Sequence, residues 1–256
     1  MKRTIIALAL VIGWIPAPAV SQSSIISQVA GDKVASEKLY FSLKFGLNFA
    51  YLTGAEADAE RTGGFNVGLS ATIRLTGRLS LVPEITPFSR KGISNIPFMT
   101  TGDPALDPFF ADLKSSELSL SYTDIPVLVT YRLGRVHVGA GPYVGLLSSA
   151  KEKFQAGPVG GLRPDAAGVG PSGNAGDLVF KRSVTDSFRK TDFGLLFEAA
   201  WTITKPRRGM GLIFHVRCQA GLTNVLRENS GQLDFLPPGP FRNSVIQVFA
   251  SFPFVH

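Results

Sequence analysis

The sequence predicts an all-β fold, an eight-stranded antiparallel up-and-down transmembrane β-barrel, and three observations carry that prediction. Apolar residues fall on every second position in eight runs, the period that places them on one face of a sheet. The connections between the runs alternate long and short, so one rim of a closed meander is nearly bare and the other carries large loops. Beyond the N-terminal stretch no segment approaches 18 consecutive apolar residues, which excludes spanning helices and leaves alternating spans of roughly ten residues as the route through lipid.

The chain divides into three parts. Met1-Lys2-Arg3 is basic, Ile5 to Ile15 is apolar, and Ala19-Val20-Ser21 offers small residues for cleavage, so residues 1–21 read as a secretory signal. The apolar run falls short of a spanning helix, and Pro16 and Pro18 end it. Residues 22–37 are polar without period and read as a flexible lead-in; residues 38–256 are the barrel domain. Cys218 is the sole cysteine, so no intramolecular disulfide staples the exported chain. The formal charge is +7, of which Lys2 and Arg3 supply two. The remaining basic residues are scattered over turns and loops with no aromatic-basic motif, which argues against nucleic acid as a partner.

The first strand alternates Phe41, Leu43, Phe45, Leu47, Phe49 and Tyr51 with Ser42, Lys44, Gly46, Asn48 and Ala50. A loop over Thr53 to Gly63 leads to Phe65, Val67, Leu69, Ala71, Ile73 and Leu75. After Thr76-Gly77-Arg78 the third strand carries Leu79, Leu81, Pro83 and Ile85, its prolines signalling irregular pairing. Lys91 to Ser116 reads as a loop. In the fourth strand Leu118, Leu120 and Tyr122 are even-numbered while Ile125, Val127, Val129 and Tyr131 are odd, and a β-bulge near Thr123-Asp124 would reconcile the halves. Leu133-Gly134-Arg135 turns the chain into Val136, Val138, Ala140, Pro142, Val144 and Leu146, the clearest hairpin in the sequence. A Gly- and Pro-rich loop spans Ser148 to Arg189. Strand six follows with Phe193, Leu195, Phe197, Ala199, Trp201 and Ile203, and Lys205 to Gly209 turns it into Met210, Leu212, Phe214, Val216, Cys218 and Ala220. Pro237, Pro238 and Pro240 precede the last run, Ile246, Val248, Ala250 and Phe252.

An even strand number, short turns on one side and long loops on the other is the pattern of outer-membrane barrels, whose short turns lie in the periplasm. Closure follows from lipid, since an open strand edge in hydrocarbon leaves backbone groups unsatisfied at several kcal/mol each. The expected location is therefore the outer membrane of a Gram-negative-type envelope, with membrane lipid as the first partner and envelope proteins as candidate partners of the long loops. Tyr40, Phe41, Tyr131, Trp201, Phe252 and Phe254 gather at the short-turn rim and read as a periplasmic aromatic girdle.

The sequence resembles the outer-membrane-protein β-barrel domain family, often labelled porin family protein. The resemblance rests on Gly46-Leu47-Asn48-Phe49, on Pro83-Glu84, and on Tyr122-Thr123-Asp124-Ile125-Pro126-Val127-Leu128 followed by Tyr131. It continues through Gly139-Ala140-Gly141-Pro142-Tyr143 and Gly221-Leu222-Thr223-Asn224, over roughly residues 38 to 255. It implies a small outer-membrane barrel, in most members without a defined activity, with distant relatives among type IX secretion and gliding barrels.

Eight strands leave an interior just wide enough for side chains to fill, which argues against a broad pore. The inward set includes Lys44, Arg74, Glu84, Asp124, Arg132, Glu198 and Arg217, with His137 and His215 beside them. Charges of both signs in a narrow lumen should pair, Glu84 and Glu198 with Lys44, Arg74, Arg132 or Arg217. The set forms either a salt-bridged plug or a charge-lined solute path, and the plug is favoured. His137 and His215 have no serine at short spacing, and the Gly-x-Ser-x-Gly elbow is absent. One cysteine and three scattered histidines make no zinc pattern, and Gly157 to Gly176 lacks a phosphate cradle's Lys-Ser/Thr ending. The chain is accordingly expected to be no enzyme and to need no cofactor. The competing readings are a membrane anchor in a secretion or envelope complex and a soluble lipocalin-like ligand binder. The second requires the greasy face to point inward.

Overall fold

The protein is described by a computed structural model covering residues 38–54, 59–96, 103–105, 107–110, 113–156, 178–204, 209–227 and 240–255. The signal, the lead-in, the Gly-rich stretch 157–176 and His256 lie outside the described residues. Among the described residues ten strands follow in order: β1 (Leu39–Thr53), β2 (Glu60–Arg74), β3 (Leu79–Ser94), β4 (Leu113–Leu133), β5 (Val136–Ala156), β6 (Leu178–Ser183), β7 (Thr191–Thr204), β8 (Gly209–Met210), β9 (Leu212–Gly221) and β10 (Arg242–Val255). Eight of them, β1-β2-β3-β4-β5-β7-β9-β10, form an antiparallel meander, and β10 closes it onto β1 from Phe41↔Phe254 to Thr53↔Arg242. The two short strands are additions: β6 pairs with the far half of β5, and β8 pairs with the end of β10. At the β4–β5 turn Gly134 takes φ 68°, a left-handed value that glycine adopts without strain.

The strands run further than the hydrophobic pattern indicates. The expected loop 91–116 is partly strand, because β3 continues to Ser94 and β4 begins at Leu113. The expected loop 148–189 likewise contains the end of β5 and all of β6. At 21 residues each, β4 and β5 rise about 50 Å when tilted by roughly 40°, twice an apolar band of roughly 25 Å.

This length explains the phase change in β4, and the bulge expected near Thr123-Asp124 is corrected. Even-numbered residues of β4 point inward from Ser116 to Leu128 without a break. What changes is the surroundings. Below Asp124 the outward residues are Ile125, Val127, Val129 and Tyr131, all exposed. Above it the outward residues are Thr123, Ser121, Ser119 and Glu117, and the greasy residues Leu118, Leu120 and Tyr122 are fully buried inside. The irregularities lie instead in the neighbours. The β3–β4 register shifts between Thr86 and Ser89, at Pro87, as the prolines of this strand foretell. The β4–β5 register shifts between Ser121 and Tyr122, where Ser148 is the extra residue of β5.

The interior thus has two chemistries. Within the apolar band the wall is greasy outside and polar inside. Beyond it Leu52, Ile93, Phe110, Leu118, Leu120, Tyr122, Phe154, Val184, Phe188, Val225 and Phe241 form one apolar core. That core closes the long-loop end of the barrel.

Candidate functional site

Strand alternation brings the charges together. Lys44 of β1, Glu84 of β3, Glu198 of β7 and Arg217 of β9 all point inward at similar height, and Glu198 and Arg217 are direct cross-strand partners. Lys44 donates to Glu84, and Arg217 donates to both Glu84 and Glu198, its Nη2 lying 3.0 Å from Glu84 Oε1 and its Nε 3.0 Å from Glu198 Oε2. The fork geometry of a guanidinium allows this bridging of two carboxylates. The Phe249 ring takes Lys44 Nζ at 5.0 Å and the Arg217 guanidinium at 4.7 Å, and His215 stacks on it at 4.5 Å. His215 Nδ1 lies 3.0 Å from Glu198 Oε1, and its Nε2 is 2.7 Å from Ser251 Oγ. Two cations balance two anions, the condition under which buried charge is tolerated.

A second network sits between this layer and the apolar cap. Lys91 is wholly buried, with Nζ 2.9 Å from Asp124 Oδ1 and 3.3 Å from Asp192 Oδ2. Its ammonium lies between two tyrosine rings, 4.5 Å from Tyr122 and 4.7 Å from Tyr143. One lysine faces two carboxylates here, and neutral donors make up the difference. Asp192 accepts from Tyr143 Oη (2.9 Å), Asn243 Nδ2 (2.8 Å) and Thr223 Oγ1 (3.0 Å), and Asp124 accepts from Gln219 Nε2 (3.3 Å). Asn48, Asn66 and Ser89 add a polar rung nearby, while Val82, Leu128, Tyr143 and Leu196 form a small apolar cluster in the lumen.

At the cap, outside the apolar band, Arg182 of β6 donates to Glu152 Oε2 through Nε (3.0 Å) and Nη2 (2.7 Å). Among the described residues Glu152 Oε1 is buried without a hydrogen-bond partner. Burial raises the Glu152 pKa above the ordinary carboxylate value, and Arg182 offsets that only in part.

The short-turn rim holds a cavity of ≈ 50 Å³, enough for a few water molecules. Arg74 lies over the Tyr40 ring at 5.4 Å beside it, and Arg132 donates from Nη2 to the Gly77 carbonyl at 2.6 Å.

Of the sequence-predicted lumen residues, Lys44, Glu84, Glu198 and Arg217 therefore meet in one network and Asp124 belongs to the other. Arg74 and Arg132 join neither: Arg74 is half-buried at the rim and Arg132 is exposed there. Of the four cations expected to pair with the glutamates, Lys44 and Arg217 do so, and among the described residues Arg74 and Arg132 do not, because both stand nearer the short turns than the glutamate layer. Phe41, Tyr131, Trp201, Phe252 and Phe254 lie on the outer face near the short-turn rim. Tyr40 does not; its even position turns it inward, where it is buried against Arg74, and its place in the girdle is corrected. Sequence reasoning missed Lys91 and the part played by Asp192. The expected loop begins at Lys91, whereas in β3 the alternation restarts beyond the register shift at Pro87 with odd residues inward, so that Ser89, Lys91 and Ile93 share the inner face.

With this geometry in hand, a family model described as "Outer membrane protein beta-barrel domain" matches residues 22–227. The chain belongs to this family. As an outer-membrane β-barrel protein it sits in membrane lipid, which covers the apolar outer face and rules out the soluble ligand binder. No curated protein matches the chain in sequence. Among solved structures it is similar to Ail, the attachment invasion locus protein of Yersinia pestis, crystallised with the heparin analogue sucrose octasulfate. Identity there is 9%, coverage 84% of this chain and 97% of Ail, and the TM-score 0.37. Neisserial surface protein A is similar at 11% identity, covering 84% of this chain and 96% of its own, with a TM-score of 0.39. AlkL, determined in lipid bilayers, also stands at 11% identity and a TM-score of 0.39, with 95% of this chain and 96% of AlkL covered.

Proposed function

We propose that this outer-membrane barrel is a sealed, non-catalytic scaffold. On this reading residues 1–21 direct export, the short turns and the aromatic girdle lie at the periplasmic side, and the long-loop end presents a folded cap as a surface for envelope or extracellular proteins. The observation that carries the proposal is the filled lumen. Two ion networks cross it and an apolar core closes one end, so a solute path would require breaking charge pairs with little water to replace them. The porin-like alternative has no comparable support. The ion networks are read as structural: each carboxylate in them is engaged by lysine or arginine, and His215 is held between Glu198 and Ser251. Their contribution is rigidity of the ring, which holds the cap in one shape.

Reconstitution in planar bilayers tests this. The wild-type protein is expected to give no stable conductance steps, and reproducible openings from the folded barrel would overturn the proposal.

A further inference from the structure

The cavity at the short-turn rim has a lining that neither the plug nor the cap explains. Its lining includes Arg74, Arg78 and Arg132, the hydroxyls of Ser42, Ser70 and Thr72, and Lys44, which is held by Glu84. Among the described lining residues Glu198 is the one carboxylate, and it is already bound to Arg217 and His215. Among the described residues none of the three arginines has a carboxylate partner. Arg78 reaches the Tyr131 hydroxyl at 3.4 Å, Arg132 reaches the Gly77 carbonyl, and Arg74 covers the Tyr40 ring. Each guanidinium has five N–H donors, so most of them are left to face the cavity or water. The surroundings are of the same sign. No aspartate or glutamate occurs among the described residues of the three short turns and their flanking strand ends, while Lys38 and Arg135 add positive charge there.

A concave site with several guanidinium and hydroxyl donors and no free acceptor carboxylate is complementary to an oxyanion. We propose that this mouth binds a phosphate group, held by Arg74 and Arg132 together with hydroxyls of the lining. Planar, fixed-charge guanidinium groups match phosphate oxygens in pairs, and the polar cavity lets the anion shed part of its hydration in exchange for those donors. The phosphate could come from an anionic phospholipid headgroup at the rim or from a free phosphate compound. Only the source rests on the orientation assigned under Proposed function; the site itself does not.

The test uses the full folded barrel in two settings. In zwitterionic detergent, inorganic phosphate is titrated by calorimetry. In nanodiscs of phosphatidylcholine with added phosphatidylglycerol, retained lipid is counted by native mass spectrometry. The wild type is expected to bind one phosphate saturably or to retain phosphatidylglycerol, and the double variant Arg74→Gln/Arg132→Gln to weaken that by about tenfold or more. Heat-modifiable migration reports whether the variant is folded, and Arg135→Gln, outside the cavity lining, serves as the charge control. Binding of free phosphate alone identifies a soluble ligand, and phosphatidylglycerol retention alone identifies a headgroup; either supports the site. Absence of both, or an equal loss in Arg135→Gln, overturns it. Conductance is scored separately, so a conducting barrel that still binds phosphate sinks the sealed-scaffold proposal and leaves this one standing.

Discussion

The half of the barrel within the apolar band and the half beyond it solve opposite problems with the same strands. Around Arg217 lipid covers the outer face, so burial of greasy side chains is satisfied outside and the lumen is left to polar groups, which must pair. Around Leu120 water covers the outer face, so the greasy side chains turn inward and pack as in a soluble protein. Lys91 stands at the border, bound to Asp124 and Asp192 below the cap and flanked by tyrosine rings. The difference teaches that alternation along a strand gives the two faces but does not say which one is the interior. The solvent outside decides that, and it changes part-way along β4 and β5.

The largest expected effect breaks the border. Lys91→Ala leaves Asp124 and Asp192 buried side by side without a cation, and it should destabilise the ring by about 3–5 kcal/mol. Urea unfolding in lipid vesicles, scored by heat-modifiable migration, measures this; a loss below about 1 kcal/mol would mean that the neutral donors suffice.

A smaller effect separates the halves. Leu120→Ala opens a void in the cap core and should cost about 2–4 kcal/mol there. The cap strands are expected to become accessible to added protease while the lipid-embedded ring keeps its heat-modifiable migration. Loss of both together would show the two regions to be one cooperative unit.

The smallest effect concerns pH at the cap. Burial raises the folded-state pKa of Glu152 above its unfolded value, so the folded cap binds that proton more tightly than the unfolded chain. The contribution is therefore fully present below the unfolded carboxylate pKa and is lost as pH rises through the folded one. Protease resistance of the cap should fall over that interval on raising the pH, and Glu152→Gln should flatten the dependence. An unchanged profile in that variant would assign the effect elsewhere.

Much of this was legible in the residues. The eight runs, their short turns and the greasy outer face follow from a period of two and from loop spacing. The pairing of Glu84 and Glu198 with Lys44 and Arg217 follows from the cost of isolated charge in a narrow lumen. Lys91 was not legible, because Pro87 breaks the alternation just before it and a bulge resets which parity faces inward. Tyr40 departs from the girdle for a related reason: aromatic character suggests a rim, but position parity decides the face. The phase change in β4 is visible in the residues, but its cause, a change of surroundings and not a bulge in that strand, is not.

By itself the sequence determined that the chain makes alternating strands in a closed antiparallel ring, since side-chain period and turn spacing are local properties of the chain. Only the tertiary structure decided which residues share a layer of the lumen and where the inside turns from polar to greasy. Those depend on register between strands and on what lies against the outer wall, and neither is written in any single segment.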